Sequence, residues 1–206
     1  MATHAIDEIL RRPARHWSMD GIAELLAGSL ILVWGMAVSA QQLWPSRVTE
    51  ILAVGGPMLA AGVLALFHRG IAARLERLKA RWTYPRIGYV KLPEASGARK
   101  TATAILGAVA AAVAAVVVVQ RPAFLPLLTG AVYAAGAAIL WARLGIRRLV
   151  AYALLALAAG AVAQWALPAR LGVGFVMCAA GLSWAVGGGF VLRDLLRQPA
   201  LPQDRE

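Results

Sequence analysis

"GIAELLAGSLILVWGMAVSAQ", residues 21–41, decides the fold. Its one charged side chain, Glu24, stands near the start, and nearly everything after it is apolar or small. At about 1.5 Å per residue of helix, a run of this length crosses a hydrocarbon core of about 30 Å. Reading outward from it, five more runs of the same kind follow, at residues 50–67, 101–119, 123–142, 149–167 and 171–192. Hydrophobic residues make up 60% of the 206 and charged ones 15%, a balance far from that of a soluble domain. In lipid every backbone polar group needs a partner within its own segment, which leaves helices or a closed barrel, and the alternating ten-residue strands of a barrel are not seen. The expected fold is all-α: a polytopic membrane bundle of six transmembrane helices.

The charges test this parse independently. When the 21 Lys and Arg are assigned to alternate sides of six spans, eighteen fall on one side, and Arg47, Arg121 and Arg170 fall on the other. An excess of basic residues in short loops marks the cytoplasmic face, so both termini are expected there. The formal charge of +11 is then a matter of topology. Nucleic acid is not an expected partner. Anionic lipid head groups on the cytoplasmic side are the expected counter-charge. "AVSA" at Ala37–Ala40 has the small residues of a signal-peptide cleavage site, but the apolar run is longer than a signal core and its start carries Asp20 and Glu24, so a retained helix is expected.

The chain divides into a cytoplasmic N-terminal segment (1–19), a transmembrane hairpin (20–68), a basic cytoplasmic stretch (69–100), a four-helix transmembrane region (101–192) and a cytoplasmic tail (193–206). The turns expected outside, "QQLWPSR", "QRPA" and "QWALPAR", each hold a proline that ends a helix and an arginine that reaches head groups. Trp44 and Trp165 fit an outer aromatic belt, Trp17 and Trp82 an inner one. Small residues four apart, such as Ala156 with Gly160 and Gly107 with Ala111, predict close helix contacts, either within the bundle or with a second copy of the chain. The runs Gly55-Gly56-Pro57 and Gly187-Gly188-Gly189 are candidate helix breaks, local weak points whose expected reading is packing or a benign kink, with a hinge or unwound ligand site as the alternative.

No ionisable residue is expected at mid-bilayer depth, where catalytic or transport groups usually stand. The three histidines have no metal-binding spacing, and Ser183 in "GLSWA" has no histidine within a span to serve as its base. The single cysteine, Cys178, excludes an internal disulfide. No catalytic residue, metal or cofactor is therefore expected.

The middle interval is richer. In "RGIAARLERLKARW" (69–82), Ile71, Leu75, Leu78 and Trp82 form one helical stripe and Arg74, Arg77 and Arg81 lie on another side. This describes a basic amphipathic helix, either lying on the inner leaflet or extending span two. Proline biases the residue before it away from helix, so "TYPRIGYV" (83–90) is expected to be extended or turning, with Gly88 allowing a bend and Tyr84 and Tyr89 at head-group level.

"DGIAE" at the first span (Asp20, Gly21, Glu24) together with "TYPRIGYV" after the second resembles a pattern of small multi-span bacterial membrane proteins with no settled biochemical activity. The resemblance covers the first hundred residues and implies a bacterial inner-membrane location. The candidate interaction or structural site is Asp20, Glu24, Tyr84, Pro85, Arg86, Gly88 and Tyr89. In one reading Asp20 and Glu24 pair with Arg86 and dock the tyrosine segment for a ligand or protein partner. In the other, Asp20 caps the first span, Glu24 faces water and the tyrosines float at the interface. The expected role is a non-enzymatic accessory, scaffold or sensory component; the alternative is a small transporter or channel for a neutral or lipophilic solute.

Overall fold

The computed structural model describes residues 20–87 and 122–199, and among these there are helices and turns but no strand. Five helices are long: α1 (Ile22–Leu43), α3 (Gly56–Trp82), α5 (Leu125–Leu144), α6 (Arg148–Ala166) and α7 (Ala169–Arg197). Two single-turn helices, α2 (Arg47–Glu50) and α4 (Tyr84–Ile87), a π-helical turn (Ile51–Gly55) and a 3₁₀ turn (Pro122–Phe124) complete them. Among the described residues four helices, α1, α5, α6 and α7, are long and apolar enough to cross a membrane. They match four of the six expected spans. Residues 50–67 are helical too, and residues 101–119 lie outside the described part of the chain.

The core is made by α1, α5, α6 and α7, with α7 packed against all three others. In lipid, which is as apolar as leucine, helices of this kind are held by close approach and not by exclusion from water. Glycines recur every seven residues on both partners of the α1–α7 pair: Gly21, Gly28 and Gly35 on or at the start of α1, and Gly174, Gly181 and Gly188 on α7. The helices run antiparallel, with Gly21 against Gly188 and Gly28 against Gly181, while Gly35 lies on Cys178 and Gly174 on Ser39. A methyl group placed on Gly188 would lie 2.6 Å from the carbonyl oxygen of Gly21, one on Gly181 2.8 Å from that of Gly28, and one on Gly35 2.7 Å from the amide of Cys178. A seven-residue repeat on helices of 3.6 residues per turn keeps the two backbones in touch along a left-handed seam. Gly21 also has a positive φ of 72°, so it turns the chain into α1 as well as touching Gly188.

The α5–α6 pair repeats the device once. Gly130 meets the backbone of Gly160, and Ala134 packs with Ala156 and Ala180 in a small-residue cluster. The expected pair Ala156 and Gly160 thus forms a contact within the chain, while Gly107 and Ala111 lie outside the described residues. The chain turns from α5 to α6 at Gly145, whose φ of 67° lets its N–H reach the carbonyl of Trp141 at 2.7 Å.

At the two candidate helix breaks the chain stays helical. α7 runs unbroken through Gly187–Gly189. Gly187 abuts Tyr152 and Gly188 abuts Gly21, so these glycines make room for neighbours and do not break the helix. At Gly55–Pro57 the chain stays helical but widens into the π turn Ile51–Gly55, where the Gly56 N–H bonds to the carbonyl of Ile51 five residues back. Pro57 has no N–H to give the carbonyl of Ala53. The indole Nε1–H of Trp34 on α1 donates to that carbonyl instead, at 2.9 Å.

Helical structure continues from the π turn through Trp82, so the basic amphipathic stretch extends the helix of residues 50–67. The expected extended form of Tyr84-Pro85 is corrected: Tyr84–Ile87 is a helical turn. Proline is tolerated in a first turn, where its missing N–H has no partner to lose. The turn is held at both ends, by the Arg86 N–H to Thr83 oxygen at 3.0 Å and by the Arg86 guanidinium to the carbonyl of Trp82 at 2.7 Å.

Candidate functional site: a paired polar cluster at one end of the bundle

α1 begins at the end of the bundle where α3, α5 and α7 finish and α6 starts. Asp20, at the entry to α1, is fully buried, and Glu24 is 7% exposed. Both carboxylates are paired. The Asp20 Oδ2 lies 2.8 Å from the Lys79 Nζ of α3 and accepts from the Thr83 hydroxyl at 3.4 Å. Its Oδ1 accepts the N–H of Ile22 at 3.1 Å, which satisfies one of the free donors of the first turn of α1. Lys79 and Thr83 are each 1% exposed, so this corner is dry. Burial pulls the Lys79 ammonium below its ordinary value of 10.5, against the opposing pull of the Asp20 carboxylate.

Glu24 meets α6. Arg148 takes both of its oxygens, with Nε at 3.0 and 2.9 Å and Nη2 at 2.7 Å, and the Tyr152 hydroxyl donates to Oε2 at 3.1 Å. The planar guanidinium fork suits this two-oxygen grip, which fixes orientation as well as charge. Tyr152 is held in turn by Trp184 of α7, their ring centroids 5.6 Å apart at a tilt of 32°. The hydroxyl end of Tyr152 passes over Gly187, where any side chain would collide with it.

The cluster is a set of three polar pairs, each spaced by four residues: Asp20 with Glu24, Lys79 with Thr83, and Arg148 with Tyr152. Each acid meets a cation and a hydroxyl. Two negative and two positive charges balance, as burial demands, since an uncompensated charge in this setting would cost several kcal/mol. Chemically the arrangement ties three helices together and fixes their rotation.

The expected partner, Arg86, is not in the cluster. Its Nε donates to the carbonyl of Gln198, 3.1 Å away at the end of α7, and its Nη1 to Trp82. The pairing of Asp20 and Glu24 with Arg86 is therefore corrected to Lys79 and Arg148, because these cations lie within the bundle end while Arg86 sits beyond the end of α3. The opposing expectation is corrected at Glu24, which does not face water, while Asp20 does cap the first turn of α1. Tyr84 and Pro85 belong to α4. Gly88 and Tyr89 lie outside the described residues.

Sequence reasoning missed Lys79, Thr83, Arg148 and Tyr152. The readable signal was the repeated four-residue spacing of polar groups at the ends of apolar runs. No group of His, Cys, Asp or Glu among the described residues is arranged to hold a metal ion. Compared with known proteins, the chain matches no family model, no curated protein and no solved structure.

Proposed function

We propose that this chain is a six-span inner-membrane protein with both termini in the cytoplasm, acting as a non-enzymatic accessory, scaffold or sensory component. The surface it offers is the interval from Arg69 to Lys100, which follows the helix of residues 50–67. One observation carries the reading: Arg86 joins the start of that interval's tyrosine segment to Gln198 at the end of α7, so the segment is referenced to the bundle at the end where the basic residues gather. A rigid four-helix core and a tethered basic interval are what a presenting scaffold requires. The resemblance of "DGIAE" and "TYPRIGYV" to small bacterial membrane proteins agrees with this location.

The test is affinity purification of the intact protein in mild detergent beside a variant carrying Tyr84→Ala, Arg86→Ala and Tyr89→Ala. Proteins that accompany the native chain and are lost from the variant are expected. The same companions in both samples would reduce the segment to an anchor. Reporter fusions at residue 90 test the topology, and an external signal there would overturn it.

A further inference from the structure

Two tethers join α1 to the helix that contains α3, at Trp34 with Ala53 and at Asp20 with Lys79. The Lys79–Asp20 pair, at 2.8 Å, sets this turn of α3 beside the start of α1. Arg74, Arg77 and Arg81 stand within five residues of Lys79 and so near the same end of the bundle.

The side chains are sorted to match. At about 100° per residue, Lys79 faces the bundle, Ile71, Leu75, Leu78 and Trp82 fill the next sector, and Arg74, Arg77 and Arg81 fill the one beyond. Arg74, Arg77 and Arg81 are exposed, while Ile71 and Trp82 keep 37% and 38% of their surface open. An open apolar stripe bordered by three arginines, on a helix turn level with the start of a membrane span, is the pattern of a face at the head-group layer. Its apolar side enters the acyl boundary and its cations reach phosphates. Glu76, the acid of this stretch, lies well round the helix from the arginines.

We propose that Arg74, Arg77 and Arg81 form a binding surface for the anionic phosphate head groups of the leaflet surrounding this end of the bundle, with Ile71 and Trp82 seated beneath them. This rests on the membrane reading of the chain. Its occupant is bilayer lipid.

The test reconstitutes the full chain in phosphatidylcholine vesicles and compares the association of spin-labelled phosphatidylglycerol with that of spin-labelled phosphatidylcholine. The native chain is expected to prefer the anionic lipid. That preference is expected to fall roughly fivefold or more in the Arg74→Gln, Arg77→Gln, Arg81→Gln variant, since each basic group near the surface contributes appreciably. The corresponding triple lysine variant keeps the charge and is expected to keep the preference. A control carrying Arg147→Gln, Arg193→Gln and Arg197→Gln removes as much charge from the same end, at residues that are also exposed. An equal fall in the control, or no preference in the native chain, would overturn the assignment. Tyr84, Arg86 and Tyr89 are unchanged in every arm, so failure here is separate from failure of the presenting role.

Discussion

The α1–α7 seam and the α3 arm join the same bundle by opposite means. Along the seam, backbone meets backbone through glycines at every seventh position, and contact is continuous from Gly21 to Gly35. Among the described residues the arm is fastened at polar points: an indole on an orphaned carbonyl, a buried ion pair with a hydroxyl, and a guanidinium on a helix-end carbonyl. A seam of this kind tolerates no added volume but needs no charge. Point attachments tolerate volume but fail when a single partner is removed. A continuous seam and separate attachments thus answer differently to substitution.

Breaking the seam is expected to have the largest effect. In Gly28→Leu the new Cβ alone falls on the backbone of Gly181 and Ala185, and backbone cannot rotate away. Overpacking of this kind costs about 1–3 kcal/mol where side chains can yield and more where they cannot. Loss of monodisperse protein in detergent is expected. Gly136→Leu, on α5 with open space around its Cα, is the matched control and is expected to purify normally. If the two behave alike, the seam is not what holds α1 to α7.

Next in size is Arg148→Ala, which leaves the Glu24 carboxylate buried with Tyr152 as its remaining partner. A broken buried pair costs about 3–5 kcal/mol, and the Arg148 side chain keeps 26% of its surface exposed, which places the expected loss near the bottom of that range. It is read as a fall in thermal midpoint in detergent. Glu24→Gln with Arg148→Met removes both charges and is expected to recover part of the loss.

How much of this was legible follows from which signals are local. Apolar runs of bilayer length are a property of composition, and four of them coincide with apolar helices to within a few residues at each end. Partner choice is not local. Asp20 and Glu24 stood out as acids at the mouth of a span, but several basic residues gather at that end, and only the rotation of α3 and α6 decides that Lys79 and Arg148 face inward. The glycine runs admit two readings for a related reason. Gly187 and Gly188 look like a weak point in one helix until Tyr152 and Gly21 are seen occupying the space they leave. The seven-residue glycine spacing on both α1 and α7 was present in the letters, but a search for small residues four apart passes over it.

A smaller effect is expected at the arm. Lys79→Met leaves the Asp20 carboxylate buried with a backbone N–H and a hydroxyl, a broken buried pair whose local cost is about 3–5 kcal/mol, but release of the arm limits how much of that cost reaches the thermal midpoint. An arm fastened at such points is released at the point that fails, so the expected readout is local. With Cys178 replaced by Ala and a cysteine placed at Ala80, an exposed position beside Lys79, thiol labelling is expected to change while the thermal midpoint of the bundle stays close to that of the parent. A fall in midpoint as large as that of Arg148→Ala would show that the arm and the core unfold as one.

The smallest expected effect is also the sharpest test of a point attachment. Trp34→Phe removes the indole N–H from the Ala53 carbonyl and is expected to cost about 1 kcal/mol, the net value of one hydrogen bond. That bond is needed only because residue 57 is a proline. Pro57→Ala returns an N–H four residues after Ala53, so the carbonyl regains a partner within its own helix. The cost of Trp34→Phe, measured by thermal midpoint in the Pro57→Ala background, is expected to shrink to that of the lost ring area. An undiminished cost would mean that Trp34 holds the arm by packing alone, and the contrast between a seam made of surface and an arm made of polar points would then fail at its outer end.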